Sequence, residues 1–245
     1  MVPILSAQNV SKHFRGLEAL SGVDFQVAEG SITSVIGPNG AGKTTLFNVI
    51  AGNQAPNGGQ IRFRERVISG LAPNSICRLG IARTYQNVRP FLGLSVWNNV
   101  KVALLFGRRE PLPDAREDAE IESVLEFAQL TAHPARKAET LTPLERKRLE
   151  IARALATDPE VMLLDEIVAG LSPAEALQMM ETIRVLNGRG ITILLIEHVM
   201  KAVMGLSSHI IVLHHGVKIA EGAPKDIARD QEVIRAYLGD AGEEG

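Results

Sequence analysis

Short runs rich in apolar residues recur along this chain of 245 residues. The runs over residues 161–164 and 191–196 lack the polar alternation of a half-exposed strand, so they predict strands buried on both faces, as in a parallel sheet. Residues 31–36 also predict a buried strand. No apolar run approaches the roughly 18 residues of a membrane-spanning helix. The pattern therefore predicts an α/β protein with a mostly parallel sheet.

Helical signals separate these runs. Residues 119–130 place apolar side chains near a spacing of about 3.6. The capping box at residues 172–175 contains a proline where the helix begins, and it predicts a helix that ends at Gly188 or Gly190. Residues 231–238 predict a final amphipathic helix. Its apolar face comprises Val233, Ile234, Tyr237 and Leu238.

The remaining segments differ in the secondary structure that they predict. Residues 1–62 are rich in strand signals, whereas residues 87–155 are mostly helical and include a polar, proline-bearing connection over 108–114. Two apolar runs, 210–213 and 217–220, flank a short polar turn and predict a hairpin.

The composition limits the partners and the cellular compartment to be expected. The net charge of −2 gives no reason to expect nucleic acid as a partner. A single cysteine, Cys77, excludes an internal disulfide and suits a reducing compartment. The first residues lack the basic and apolar segments of a secretion signal. We expect a cytoplasmic protein.

A phosphate-binding loop is the most informative motif. Nine consecutive residues fit the pattern G-x-x-x-x-G-K-[ST] between a predicted strand and a predicted helix: Gly37, Pro38, Asn39, Gly40, Ala41, Gly42, Lys43, Thr44 and Thr45. Glycines allow backbone N–H groups to surround a phosphate, and the helix points its positive end at it. We expect Lys43 to reach the β- and γ-phosphates and the Thr44 hydroxyl to bind Mg²⁺.

Two acidic residues and a histidine follow later strands. Asp165 is placed to hold Mg²⁺, and Glu166 to orient or deprotonate an attacking water. Taken alone, two adjacent acidic residues would also fit an ordinary exposed turn. The phosphate-binding loop with Lys43 earlier in the chain favours a role for them in a nucleotide site instead. His198 leaves the strand over residues 191–196 and is placed to contact the γ-phosphate, although a lone histidine is more often structural.

With these motifs in this order, the chain resembles the ATP-binding subunits of ABC transporters over essentially its whole length. Gln86 matches the family's Q-loop glutamine, and Phe14 matches the aromatic residue that stacks on adenine, although Phe14 also fits as core filler. The resemblance implies ATP and Mg²⁺ as ligands, catalytic roles for Lys43, Glu166 and His198, and metal contacts from Thr44, Gln86 and Asp165.

The resemblance also implies an architecture. It is a P-loop NTPase fold with a mostly parallel sheet, an N-terminal antiparallel β subdomain and an inserted helical subdomain. A single domain over 1–245 would then comprise a nucleotide-binding core, formed by 1–86 and 156–245, and a helical signature subdomain over 87–155.

Finer features are similar to one branch of the family. Residues 169–173, 196–201 and 233–239 resemble the ATPases of branched-chain amino-acid importers, and related importers of other amino acids, amides or urea share them. Such a subunit would lie at the inner face of the cell membrane, bound to integral permease subunits and served indirectly by a solute-binding protein. The docking groove would include residues 88–94, near Trp97, whose other interpretation is helix packing.

The family's signature loop is degenerate here. Leu-Ser-Gly-Gly-Gln is replaced by Leu141 followed by Thr142, Pro143, Leu144 and Glu145. These residues form a capping box, so a helix is expected. However, Pro143 removes one N–H, and Leu144 places a bulky side chain where the ATP of the opposite subunit would approach. We therefore expect a heterodimer with an ATPase whose signature is intact, rather than a homodimer.

Other classes remain open on these grounds. An exporter ATPase for lipid or lipopolysaccharide would share the fold. A soluble ABC ATPase acting on DNA or ribosomes usually carries coiled-coil insertions, fused ATPase halves or zinc modules, which this chain lacks. A generic phosphate-loop kinase would not need the ordered glutamine, signature-region and histidine elements.

Overall fold

The computed structural model describes residues 3–85, 90–132 and 134–239. Ten strands lie in these ranges: β1 (Leu5–Phe14), β2 (Leu17–Val27), β3 (Ile32–Ile36), β4 (Gly58–Phe63), β5 (Arg66–Val67), β6 (Ile81–Arg83), β7 (Val161–Asp165), β8 (Thr192–Ile196), β9 (His209–His214) and β10 (Val217–Gly222).

The same ranges contain nine α-helices and a 3-10 helix over Ala138–Thr140. The α-helices are α1 (Lys43–Ile50), α2 (Pro73–Leu79), α3 (Val96–Gly107), α4 (Asp114–Phe127), α5 (Pro143–Ala156), α6 (Pro173–Gly188), α7 (Met200–Leu206), α8 (Pro224–Ile227) and α9 (Gln231–Gly239).

The strands form two sheets. A central sheet has the order β10-β9-β3-β8-β7-β6 and is parallel except for the hairpin of β9 and β10. A second, antiparallel sheet has the order β2-β1-β4-β5. The predicted mostly parallel sheet, N-terminal antiparallel sheet and C-terminal hairpin are therefore confirmed.

The apolar runs form central strands because both of their faces are covered. Val161 and Leu163 of β7 pack into a cluster shared with α1 and the antiparallel sheet. Met162 and Leu164 pack into a second cluster, with residues of α5, α6 and α7. Alternate residues of a strand point to opposite faces, so an unbroken apolar run is required wherever helices and a sheet cover both sides.

Parallel pairing brings three chain segments to one edge. Val35 of β3 and Asp165 of β7 both pair with Ile196 at the end of β8. The carboxyl ends of these three strands therefore lie side by side, which is the edge where open α/β sheets bind ligands. The loop after β3, the two acids at the end of β7 and the histidine after β8 all lie at this edge.

Helices α3, α4 and α5 have an apolar cluster of their own, which includes Val100, Leu125 and Leu149. Helix α5 also contributes Ile151 and Ala154 to the cluster under the central sheet, so it belongs to both packing units. Helix α4 begins earlier than the predicted range, because the acidic side chains of its first turn favour the helix start, and it ends before Gln129, whose φ is +57°.

The C-terminal helix α9 confirms the predicted amphipathic helix. Its predicted apolar face does line one apolar groove of about 440 Å³, together with Met200 and Met204 of α7. However, the helix buries Val233 and Ala236, whereas Leu238 remains 68% exposed. The last residue of this apolar face therefore keeps its contact with solvent.

No helix in the described ranges is both long enough and apolar enough to cross a lipid bilayer.

Candidate functional site

Two glycines fix the shape of the loop between β3 and α1. Gly37 has a φ of +149°, and a Cβ there would lie 2.0 Å from the carbonyl oxygen of Leu213. Gly42 has a φ of +101°, and its Cβ would lie 2.5 Å from the carbonyl oxygen of Ala19. Only glycine fits at these positions, because the neighbouring strands approach the loop backbone closely. The loop is thus held as a compact ring at the sheet edge.

The start of α1 is open to an anion. Gly42 is the N-cap residue, and no side chain among the described residues caps it. The first N–H groups of a helix have no partner within the helix, so they remain available to phosphate oxygens. Asn39, Gly40 and Thr44 are exposed beside this opening, Pro38 and Thr45 are half-buried, and Ala41 is buried.

Lys43 lies folded over the same loop. Its Nζ donates to the carbonyl oxygens of Gly37, at 2.6 Å, and Pro38, at 2.7 Å. Burial lowers the pKa of Lys43, while the charges of Glu166 and Asp165 act in the opposite direction. The lysine therefore lies within electrostatic reach of both acids, and its ammonium group is positioned for a ligand in the loop.

Asp165 is a buried carboxylate in which one oxygen accepts a hydrogen bond from a side chain and the other does not. Its side chain is 2% exposed, and Oδ2 accepts a hydrogen bond from Arg83 at 3.0 Å. Arg83 also donates to Asn48 of α1, at 2.7 Å. Oδ1 is buried without a hydrogen-bond partner among the described residues. Burial raises the pKa of Asp165, and the arginine counteracts this.

The Oδ1 atom of Asp165 is suited to bind a small divalent cation, because it is buried without a hydrogen-bond partner among the described residues. Thr44, Asn48, Arg83 and Asp165 line one cavity of about 680 Å³. No group of three or more His, Cys, Asp or Glu side chains in the described ranges is arranged to hold a metal. A cation bound here would complete its coordination with ligand oxygens and water, as Mg²⁺ does when it is held by one or two carboxylates and phosphates.

Glu166 has a strained backbone that several contacts hold. Its φ is +50°. A sparsely populated conformation of this kind costs roughly 1–3 kcal/mol and persists only where its surroundings impose it. The N–H of Glu166 donates a hydrogen bond to the carbonyl of Ile196, and the carbonyl of Glu166 accepts one from the Lys147 ammonium at 2.9 Å. Two residues later, the N–H of Val168 donates to the Glu197 carboxylate at 2.6 Å.

His198 reaches the same edge from β8. Its Nδ1 lies 3.7 Å from Oε1 of Glu166, and its side chain is 61% exposed. Lys43, Asp165, Glu166 and His198 are thus brought together by the parallel sheet. Gln86 lies outside the described residues.

Phe14 ends β1 and is exposed rather than buried. It is 38% exposed, and the Lys12 ammonium lies 5.2 Å from the centre of its ring. The interpretation of Phe14 as core filler is therefore wrong, and an aromatic face is available at the surface.

The degenerate signature residues form the predicted helix start. The Thr142 side chain accepts from the N–H of Glu145, and Glu145 accepts in return from the N–H of Thr142 at 2.8 Å. Pro143 begins α5. The half-buried side chain of Leu144 packs partly against the cluster under the central sheet, and its approach to the ATP of an opposite subunit stays a prediction.

Several residues of the site were not found from the sequence. They are Asn48, Arg83, Lys147 and Glu197. Arg83 binds Asp165, Asn48 accepts a hydrogen bond from Arg83, and Lys147 and Glu197 bind the main chain over residues 166–168. The sequence contained one signal for Glu197, because it directly follows a fully apolar strand. The structure buries its side chain to 1% exposure, and a buried carboxylate needs a hydrogen-bond partner. The other three became visible only when the elements were brought together.

Comparisons with known proteins agree with this geometry. The family model of ABC transporters matches residues 20–169, and that of branched-chain amino acid ATP-binding cassette transporters matches residues 217–243. The high-affinity branched-chain amino acid transport ATP-binding protein LivG of Salmonella typhimurium is 42% identical, over 98% of this chain and 99% of the relative. The corresponding protein BraF of Pseudomonas aeruginosa is 40% identical over the same shares.

Solved structures give the same result. A crystal structure of the ADP conformation of an ATP-binding cassette of an ABC transporter superposes with a TM-score of 0.88 at 32% identity, covering 98% of this chain and 100% of the other. A nucleotide-free cassette from an ABC transporter gives a TM-score of 0.85 at 31% identity, covering 96% and 98%. The chain therefore belongs to the ABC transporter family as an ATP-binding cassette, and the predicted family, fold and ATPase class are confirmed.

Proposed function

We propose that this chain hydrolyses ATP to power an importer of branched-chain amino acids. The observation that carries the proposal is the convergence of Lys43, Asp165 and Glu166 at one sheet edge beside an uncapped helix start. The names of the near-full-length relatives LivG and BraF support the choice of cargo.

The nucleotide would bind through its phosphates at the loop. Backbone N–H groups of 37–45 and the Lys43 ammonium bind the β- and γ-phosphate oxygens, and Phe14 stacks on the adenine. Asp165 and Thr44, with Gln86, would hold Mg²⁺, which supplies positive charge to the phosphates when bound. The subdomain over 87–155 supplies the signature helix α5.

Glu166 would act as the general base. Its side chain is 22% exposed and follows the buried Asp165, so it borders both the cation site and solvent. A carboxylate there orients a water and accepts its proton as the water attacks the γ-phosphorus. His198, at 3.7 Å from the Glu166 carboxylate, is placed to contact the γ-phosphate and help to position that water.

The test is Glu166→Gln, which keeps the shape of the side chain and removes the base. We expect the variant to bind ATP with unchanged affinity and to hydrolyse it about a hundredfold to ten-thousandfold more slowly. Single-turnover hydrolysis and ATP titration measure the two quantities separately. Full turnover by this variant would remove Glu166 from the role of base.

A membrane partner would bind the helical region. Phe91, Leu92 and Leu94 are 47%, 49% and 37% exposed close together in the chain just before α3, and clustered exposed apolar side chains often mark a protein interaction site. Trp97 instead packs into the helical cluster. Permease subunits docked here would place the chain at the inner face of the membrane, and a solute-binding protein would deliver cargo to those subunits.

The second ATPase of the pair would be a different chain. Pro143 lacks one N–H at the start of α5, and the Glu145 carboxylate occupies the same helix end, where it would oppose a γ-phosphate. A homodimer would have two such sites, whereas a partner with an intact signature would give one good site. Strong ATP turnover by the purified chain alone would contradict the heterodimer.

Copurification separates the alternative functions. An importer subunit copurifies from membranes with two permease chains, and deleting its gene abolishes uptake of radiolabelled leucine. Lipid or lipopolysaccharide exporters would copurify with permeases without affecting uptake. A soluble ABC ATPase would not copurify with membrane proteins at all.

A further inference from the structure

We propose that Lys147 is a positioning residue that holds Glu166 in its catalytic conformation. The proposal rests on the general-base role of Glu166 proposed above. Lys147 belongs to α5, whose first residues are the signature. Its Nζ crosses to the loop after β7 and donates to the main-chain carbonyl of Glu166 at 2.9 Å.

The contact lies on the strained residue itself. Glu166 has a φ of +50°, and such a conformation must be imposed by its neighbours. On its N-terminal side, the N–H of Glu166 donates to the carbonyl of Ile196 at 2.9 Å. On its C-terminal side, the Lys147 ammonium binds the carbonyl. The two main-chain groups of Glu166 are therefore fixed by β8 and by α5.

A second carboxylate fixes the residues that follow. Glu197 is 1% exposed, and its Oε1 accepts a hydrogen bond from the N–H of Val168 at 2.6 Å. The charge of Glu197 also acts on Lys147 and favours its protonated form. Lys147 and Glu197 thus lie within electrostatic reach of each other and bind the main chain at Glu166 and Val168 respectively.

A purely structural role explains Lys147 poorly. Its ammonium is half-buried, and burial lowers the pKa of Lys147. An apolar side chain would fill this space without the cost of removing a charge from water. The lysine is instead directed at the carbonyl of Glu166, one of the two main-chain groups whose positions set the direction of the Glu166 side chain.

Helix α5 carries both the signature residue Thr142 and the lysine that binds Glu166. Thr142 and Lys147 are less than two turns apart on α5. A movement that seats the Thr142 end against the nucleotide of the opposite subunit therefore also moves the ammonium that holds Glu166 in its own subunit. The base of one site then depends on the engagement of the other.

The experiment compares Lys147→Met, which keeps the length and removes the charge, with Lys147→Arg, which keeps both charge and donors. Lys225→Met, at an exposed lysine of α8, is the matched control. We measure kcat, KM and the Kd for ADP, using the full chain together with its partner ATPase where turnover requires it. Thermal melts identify variants that do not fold, and Lys147→Gln replaces Lys147→Met if the latter unfolds.

We expect Lys147→Met to lower kcat about tenfold to a hundredfold, as a misplaced catalytic group does, with KM and Kd nearly unchanged. Lys147→Arg restores most of the rate, and Lys225→Met has no effect. In a Glu166→Gln background, Lys147→Met costs nothing further, because the base that it positions is already absent.

Two results would overturn the role of Lys147 while leaving the proposed function intact. One is full kcat for Lys147→Met when Glu166→Gln is inactive, and the other is a further loss in the double variant. Full activity of Glu166→Gln would instead overturn the general-base assignment, whatever Lys147→Met does.

Discussion

The helix starts of α1 and α5 differ in how their N–H groups are satisfied. At α1, Gly42 offers no side chain, and no described residue caps the helix. At α5, Thr142 and Glu145 form a complete capping box, and Glu145 also binds Arg136 at 3.0 Å. Both ends carry the positive pole of a helix, but only α1 leaves its donors available.

The difference bears on the proposed ATP site, in which the α1 end of one subunit and the α5 end of the other would face the same nucleotide. The α1 end is destabilised unless an anion binds it, which is expected of a phosphate site. The α5 end is satisfied by its own residues and already holds a negative charge. A nucleotide at α5 would therefore compete with Glu145, whereas a nucleotide at α1 replaces nothing except the contacts of Lys43.

The largest effect is expected from Arg83, which binds Asp165 at the end of β7 and Asn48 of α1. It is compared with Arg136, which binds Glu145 at the start of α5. Arg83 and Asp165 are 6% and 2% exposed, so Arg83→Met leaves a buried charge unpaired and should lower the free energy of unfolding by about 3–5 kcal/mol. Arg136 and Glu145 are 33% and 26% exposed, so Arg136→Met should cost about 1 kcal/mol or less. Urea unfolding at neutral pH measures both, and equal losses would contradict the asymmetry.

A smaller effect is expected at the cap of α5. Thr142→Ala should cost about 1 kcal/mol, and Ser95→Ala, which removes the side-chain cap of α3, should cost the same. Each lowers the melting temperature by about 2–4 °C. Only Thr142→Ala should also slow ATP turnover in the complex of two ATPases. A rate loss for both variants would mean that helix stability, rather than the hydroxyl, matters.

The smallest effect concerns pH. Burial tends to raise the pKa of Glu145, but hydrogen bonds from Thr142 and Arg136 outweigh it, so the pKa is lowered on folding. A lowered carboxylate pKa contributes stability that is present above the unfolded-state pKa and is lost as the pH falls through the folded-state value.

Glu145→Gln should therefore be less stable than the wild type at pH 7, and this difference should shrink as the pH falls below about 4.5. Urea midpoints at several pH values give the curve, with Glu122→Gln on the exposed face of α4 as control. A difference that stays constant with pH would show that the carboxylate charge plays no part in the cap.

Motif spacing predicted much of the site, because each motif depends on local geometry. The run from Gly37 to Thr45 could be assigned from the chain alone, since a strand, glycines and a helix follow one another. Asp165 and His198 were found because each leaves a buried strand. Thr142 and Ser172 were recognised as helix starts because a capping box is a contact between residues three apart.

The sequence by itself determined the buried strands β3, β7 and β8, the capped starts of α5 and α6, and the family, because these follow from periodicity and from residues close in the chain. Only the tertiary structure decided that Arg83 pairs with Asp165, that Leu144 turns to the core and that Lys147 reaches the Glu166 carbonyl. These contacts join residues on different elements. Their partners are set by the order of strands and by helix packing, which no local pattern encodes.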